Sequence, residues 1–421
     1  MAPVIDKVEV VLLSIPRKRG MAPAENLLVR IHSGDGASGV GACQYESRYG
    51  ETAAEAALVV QKHYTPLLLK ENPLNIETLM AKLDAFMPEH LASKAAIDIA
   101  LHDLKGKMLN VPVYELLGGR ARDKVQLLAP QVSRGEPIEQ AKEAARLVGE
   151  GFKALKLRVG GADVEKDIQR VKEVRQAVGT SVEIRIDANE YHTPASAVGL
   201  ISRLEPFDLA WVEDPIPGGD LEGFAYLRSK IRVPLEAGQL GSPFDVLHYI
   251  RMGAADCFKI KVVRGGGLLK LKKSLAIAEA AHMSVVSGSG GDNDINFAAE
   301  VAINGSTRHM RHACESTGAW FIYPEESRLV KEPIVVKEGY AHLPEKPGLG
   351  VELIEPGCGA CVNAGPGVSE RAEQVTVSAI NRNFPGRSGP GQVWLASPST
   401  VAASAIAGRI VSFEQLRAKA P

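Results

Sequence analysis

Residues 182–189 read V-E-I-R-I-D-A-N, and residues 208–215 read D-L-A-W-V-E-D-P. In the first, apolar Val182, Ile184 and Ile186 alternate and the run ends on Asp187. The second is a short apolar run that ends on Glu213. Strands that finish on a carboxylate, with helical sequence between them, predict a parallel α/β barrel with acids at its mouth. Asp187 and Glu213 lie 26 positions apart, and 26 more lead to Gln239, at the end of P-L-E-A-G-Q. One β/α unit per step puts all three oxygen-bearing side chains on one rim. A hard cation such as Mg²⁺ needs that arrangement, because it takes a few oxygens from the protein and keeps positions for substrate and water.

Working outward, the alternation of strand and helix runs from about residue 125 to 330. Strands are expected at residues 125–130, 154–159, 182–187, 209–213, 234–239, 256–263, 283–288 and around R-H-M-R-H-A-C-E-S. Seven to eight β/α units in about 200 residues is a barrel count. Residues 1–124 read instead as strands followed by helices, the pattern of an α+β domain. Within them, residues 92–108 read as a strong amphipathic helix. P-I-V-V-K-E-G-Y-A-H-L and G-L-G-V-E-L, within 331–355, are expected as strands that return to the first domain. Residues 356–421 are rich in Gly, Pro and Asn and form an appended tail with one short helix.

The chain has 421 residues, 45% of them hydrophobic, and a formal charge of −1. That length points to two or more domains with a sizeable core. The charge gives no basis for binding nucleic acid or a membrane surface. No apolar run approaches ~18 residues, so no spanning helix is expected. The N-terminus reads as a strand and lacks the pattern of a secretory signal. Cys43, Cys257 and Cys314 stand alone, as reduced cytosolic cysteines do, and a cytoplasmic homo-oligomer is expected.

These motifs carry a family resemblance. The chain resembles the enolase superfamily, in its mandelate racemase and muconate lactonizing group, over roughly residues 4–355. The matching parts occur in order: K-A-A-I-D-I-A-L-H-D-L-K-G-K with P-V-Y-E-L-L-G-G, K-x-R at Lys156 and Arg158, D-A-N at Asp187, V-E-D-P at Glu213, P-L-E-A-G-Q at 234–239, and F-K-I-K at 258–261. The resemblance implies an α+β capping domain over a modified (β/α)₇β TIM-like barrel. It also implies one Mg²⁺ per barrel and abstraction of the proton α to the carboxylate of a small-molecule substrate. Such a proton is a weak acid. The dianion formed on its removal needs a dication and cationic side chains around it, and the base must have a tunable pKa.

Asp187 and Glu213 are read as metal ligands; the bland alternative is a helix-cap aspartate and a rim ion pair. The family has an acid near the end of the fifth barrel strand, where this chain has Gly238-Gln239. Gln239 is the favoured third ligand, with Glu236, three residues back, and loss of tight metal binding as the alternatives. Lys156 and Arg158 share one face of their strand, and either could instead form a salt bridge inside the barrel. The family carries lysine at both positions, the second usually a base. Arg158 cannot be one near neutrality, because a guanidinium stays charged below about pH 12. Lys261 matches the lysine at the end of the sixth strand and is the candidate base, with Lys259 as its neighbour on the same face. Glu315 matches an acid that contacts the substrate, or else forms a rim salt bridge. Asn189 and Asp214 are expected beside the ligands. The mandelate racemase branch pairs an aspartate with a histidine at these strands, and this chain has neither. One evident base favours β-elimination or cycloisomerisation over racemisation.

The tail resembles a second family. P-G-C-G-A-C, S-A-I-N-R-N-F-P-G-R and V-W-L-A-S-P-S-T-V-A-A-S-A-I-A-G-R-I are similar to the C-terminal part of the isopropylmalate dehydratase large subunit. That resemblance implies Cys358 and Cys361 as two of three ligands of an iron–sulfur cluster, with Arg382 and Arg387 near substrate. The third cysteine's setting is missing, so no cluster is expected and the tail reads as an appended fragment without catalysis of its own. The rival readings are an assembly or regulatory protein with a weakened metal site, and a cluster-dependent hydro-lyase completed by a partner. Specificity is assigned to the loop around Ile15–Glu25 and to residues near Tyr45 and Tyr49.

Overall fold

The computed structural model describes residues 3–18, 20–45, 50–130, 135–161, 163–288, 291–316, 319–354, 368–379 and 386–418. Two compact units emerge, Met1–Glu352 and Leu353–Pro421.

The first unit opens with an antiparallel sheet, β1 (Ile5–Ile15), β2 (Ala24–Ser33) and β3 (Ser38–Gln44). The helix Leu91–Leu109 packs against it. The sequence predicts an amphipathic helix here, and the structure corrects that. Residues 92–104 are all buried, because the sheet covers one side and the barrel the other. Its polar side chains are satisfied locally: Asp103 accepts from Val40 and Leu349 amides at 2.8 Å, and Asp98 from the Leu268 amide at 2.6 Å. Two glycines of β3 make the close approach possible. A Cβ on Gly41 would lie 2.0 Å from the Ala96 carbonyl oxygen, and one on Gly39 would lie 2.2 Å from that of Ala100.

The barrel follows. β4 (Lys124–Gln126) leads into the first barrel position, and β5 (Ala154–Arg158), β6 (Glu183–Asp187), β7 (Trp211–Glu213), β8 (Leu235–Ala237), β9 (Cys257–Ile260) and β10 (Ser284–Ser287) form one parallel sheet in sequential order. The predicted last strand is reduced to a single bridge, Leu127 with Cys314, yet it completes the ring. Leu128 donates to the Cys314 carbonyl at 2.8 Å, Glu315 to that of Ser287 at 2.7 Å, and Ala129 to that of Ala154 at 2.9 Å. Seven helices, from Pro137–Gly149 to Asp294–Gly305, alternate with these strands, which gives the (β/α)₇β order.

β11 (Val336–Lys337) and β12 (Tyr340–His342) form a hairpin. The sequence expects it to return to the first domain; β12 pairs with β4, at the junction of that domain with the barrel. G-L-G-V-E-L makes no strand, and its Gly348 and Leu349 bond to Val113 and Asp103 instead. The second unit holds β13 (Val375–Ser378) and β14 (Gln392–Leu395), a parallel pair the sequence did not announce, and the expected helix at Pro398–Ala407. Among the described residues no helix is long and apolar enough to cross a membrane.

Replacing Gly41 with alanine forces a methyl group into helix backbone that has no room to move. We expect a loss of about 3 kcal/mol in denaturant unfolding, against well under 1 kcal/mol for Gly34→Ser in the exposed hairpin turn, where a Cβ meets nothing closer than 3.9 Å.

Candidate active site at the barrel mouth

Parallel strands deliver their last side chains to one rim, and the register here is direct. Asp187 pairs with Glu213, and Glu213 with Glu236. Just past the strand ends the backbone turns sharply, with Asn189, Glu190 and Asp214 all in the left-handed region. These turns are pinned to the neighbouring strand: the Glu190 amide donates to the Asp214 carbonyl at 2.7 Å, and the Asp214 amide to that of Glu236 at 3.1 Å. Strain of this kind persists where surrounding structure enforces it, as around active sites.

Four carboxyl groups meet inside this rim, Asp187, Glu213, Glu236 and Glu315, all buried. Lys156 Nζ reaches Glu213 Oε2 at 2.7 Å and Glu315 Oε2 at 2.5 Å, and lies 3.9 Å from Asp187 Oδ2. Lys259 Nζ lies 2.8 Å from both Glu213 Oε1 and Glu315 Oε2. Arg185 donates to Glu315 Oε1 at 2.9 Å and stacks on the Trp211 ring at 4.2 Å. Arg158 Nη1 meets Asp187 Oδ2 at 2.5 Å and also donates to Asn189 Oδ1 at 3.2 Å. Unpaired buried charge is costly, and Asp187, Glu213 and Glu315 are each matched by a cation, while Glu236 forms no ion pair among the described residues.

The ionisation pattern follows. Burial pushes the Glu213 carboxyl up, but the Lys156 and Lys259 ammoniums outweigh it and hold the group down at about 2. Glu315 is held well below the ordinary range in the same way, with Arg185 adding to the two lysines. Glu236 goes the other way. Burial and the charges of Glu315 and Glu213 drive it well above, and its Oε2 has no hydrogen-bond partner. Asp187 is raised by burial and by Glu213. Asp214 is raised to about 7 by burial and by Glu213.

Gln239 sits within this frame but is already engaged. Its amide nitrogen donates to Asp214 Oδ2 at 2.8 Å, and its carbonyl oxygen accepts from Arg264. Lys261 is the first residue after β9 and is half-buried; Lys259, two residues back, reaches the carboxylates from below the rim. Among the described residues the carboxylates grouped closely enough to hold a metal ion are Glu213, Glu236 and Glu315, while Asp187 and Glu213 are the pair expected from the sequence. They are neighbours in register, every carboxylate oxygen has more than one acceptor site, and Gly238 keeps space clear, since a Cβ there would lie 2.8 Å from Glu213 Oε1. Arg185 and Arg264 were missed from sequence, although Arg185 lies two residues before Asp187 and so on its face of the strand. Around the rim, Tyr45 is buried in the cap core, and the Ile15–Glu25 loop lies against Ile322 and Tyr323. Tyr49, Cys358, Cys361 and Arg382 fall outside the described residues; Arg387 lies in the second unit.

A closed (β/α)₇β barrel with carboxylates and lysines at the carboxyl ends of its strands, joined to an α+β cap, defines the class: the chain belongs to the mandelate racemase/muconate lactonizing enzyme family of the enolase superfamily. Residues 12–118 match that family's N-terminal domain, and residues 139–356 match the enolase C-terminal domain-like model. Among curated proteins it is similar to N-succinyl-L-Arg/Lys racemase of Bacillus cereus, 30% identical over 78% of this chain and 88% of the relative. It is similar also to muconate cycloisomerase 1 of Rhodococcus opacus, 31% identical over 83% of this chain and 96% of the relative. Among solved structures, a dipeptide epimerase from Cytophaga hutchinsonii complexed with Mg and the dipeptide D-Ala-L-Val superposes with a TM-score of 0.77. It is 27% identical and covers 84% of this chain and 96% of that one.

Arg185 is a fully buried cation that pairs with Glu183 as well as Glu315, and its removal leaves both short of a partner. Arg185→Met should lower stability by about 3–5 kcal/mol in chemical denaturation, and Arg185→Lys by less.

Proposed function

We propose that this enzyme removes the proton α to the carboxylate of a small acid, with Lys261 as base, and completes the reaction from one face by β-elimination or cycloisomerisation. The observation that carries this reading is Arg158, whose guanidinium is committed to Asp187 and Asn189 and cannot accept a proton. In this reading the proton passes from the α-carbon to Lys261 Nζ and the C–H electron pair enters the enolate. That pair then expels a β-substituent, or breaks a ring bond to the β-carbon, on the same side; in the ring-closing direction the nucleophile adds at the β-carbon and Lys261 delivers its proton to the α-carbon of the enolate. Asp187 and Glu213 would hold a Mg²⁺, which would supply positive charge for the second negative charge that the enolate places on the substrate carboxylate. Lys156 and Arg158 add fixed cationic charge at the same rim, and Glu315 orients Lys156. Gln239 holds Arg264 and Asp214 in place and contributes at most a neutral oxygen to the ion.

Racemisation or epimerisation is the second reading, and relatives with those activities support it equally. It requires a second base on the opposite face of the substrate. Lys156 is the candidate, and it would have to lose a proton while between Glu213 and Glu315. We read residues 356–421 as an appendage without catalysis of its own.

Two measurements test the reading. A library of N-acyl amino acids, dipeptides, muconates and acid sugars, incubated with Mg²⁺ in D₂O, identifies a substrate by α-deuteration or turnover. We expect deuterium to enter one enantiomer only; equal exchange into both would establish the two-base course. With that substrate, Lys261→Ala should lower kcat by about 10²–10⁴-fold. Glu213→Gln should abolish Mg²⁺ binding in calorimetric titration, which loss of the base leaves intact.

A further inference from the structure

The rim contains a second place where a cation would sit. Oxygens of Glu213, Glu236 and Glu315 lie within 4.8 Å of one another, and all three residues are buried. Three carboxylate oxygens grouped this closely could hold a divalent ion. That space is taken. Lys259 Nζ lies 2.8 Å from Glu213 Oε1 and 2.8 Å from Glu315 Oε2, and the side chain is 6% exposed. An ammonium at that distance from two of the three oxygens and an ion bound to the same oxygens exclude each other. The third member is left without an ion pair: Glu236 Oε2 is fully buried with no hydrogen-bond partner, and among the described residues its Oε1 meets only the Cys257 thiol, at 3.7 Å, while Lys156 and Lys259 both serve Glu213 and Glu315. Lys156 closes the other side, at 2.7 Å from Glu213 Oε2 and 2.5 Å from Glu315 Oε2.

We propose that Lys259 is a positioning residue: its ammonium is a permanent counter-ion that fills the gap among Glu213, Glu236 and Glu315, anchors Glu213 from below, and limits the barrel to a single divalent cation. The count of one rests on the Asp187–Glu213 ion of the proposed function; the filling of the gap does not. With Lys259 on Oε1 and Lys156 on Oε2, the Glu213 carboxylate is held at both oxygens before any ligand arrives, so a metal meets a ligand that need not reorient.

Mn²⁺ stoichiometry, measured by equilibrium dialysis with elemental analysis and by electron paramagnetic resonance, tests this on the full chain. The wild type should bind one Mn²⁺. Lys259→Met should bind one more than the wild type, with the spectral broadening of two neighbouring ions, and Lys259→Met/Glu236→Gln should return to the wild-type number. Lys259→Gln, which keeps a neutral donor, is the second variant and should likewise gain an ion. If either single variant unfolds in chelator, Mn²⁺ should restore its thermal transition. A folded variant that gains no ion, or an unfolded one that Mn²⁺ does not rescue, overturns the proposal. A wild type that binds none, beside a Lys259→Met variant that binds one, supports the role of Lys259 and refutes the Asp187–Glu213 ion.

Discussion

The structure depends on how the barrel interior neutralises its own carboxylates. Asp187, Glu213 and Glu236 are brought together by strand register, Glu315 joins them from the closing segment, and all four are buried. The compensating cations come from three different strands: Lys156 and Arg158 from β5, Arg185 from β6 and Lys259 from β9. None of these pairs is local in sequence, so the network exists only when the ring is closed. Closure in turn rests on a few main-chain bonds around Cys314 and Glu315, where the last strand is one bridge long. Glu315 thus has two duties, as part of the seam of the barrel and as the anchor of Lys156, Lys259 and Arg185.

The cap is bound to this barrel by equally specific polar terms. The helix Leu91–Leu109 lies between the antiparallel sheet and the barrel, with Asp98 and Asp103 capping amides on both sides. Tyr323 donates to Gln44 at 2.9 Å, and Asn293 to Asn26 at 2.9 Å. Such buried bonds fix orientation as well as adding stability, since breaking one strands a desolvated partner. The cap edge is thereby held against the segments that follow the last barrel strands.

Much of this was legible in the sequence. Apolar runs ending on Asp187 and Glu213 gave the barrel and its rim, and the 26-residue repeat gave the direction of the chain. What was not legible has physical causes. Strands buried on both faces show no polar alternation, so the run C-F-K-I-K does not say which lysine lies deep and which at the rim. The inward role of Arg185 is hidden for the same reason. The Leu91–Leu109 helix looked amphipathic because its Lys94, Asp98 and Asp103 are polar, yet these residues satisfy buried partners. The barrel's last strand was misjudged because pairing, not composition, decides what a short extended segment joins. Gln239 stood in the right register for a ligand, but sequence could not reveal that Arg264 already holds its oxygen.

The enclosed ion network has a consequence for how the enzyme responds to its medium. Dissolved salt screens charges it can surround, with a reach of about 10 Å at 0.1 M, and it does not enter a filled barrel. Lys259, Arg185, Glu213 and Glu315 are therefore insulated from ionic strength, while an anionic substrate approaching the mouth is not. Salt acts on the encounter and leaves the chemistry alone, so electrolyte concentration becomes a way to separate the arrival of substrate from what happens to it once inside.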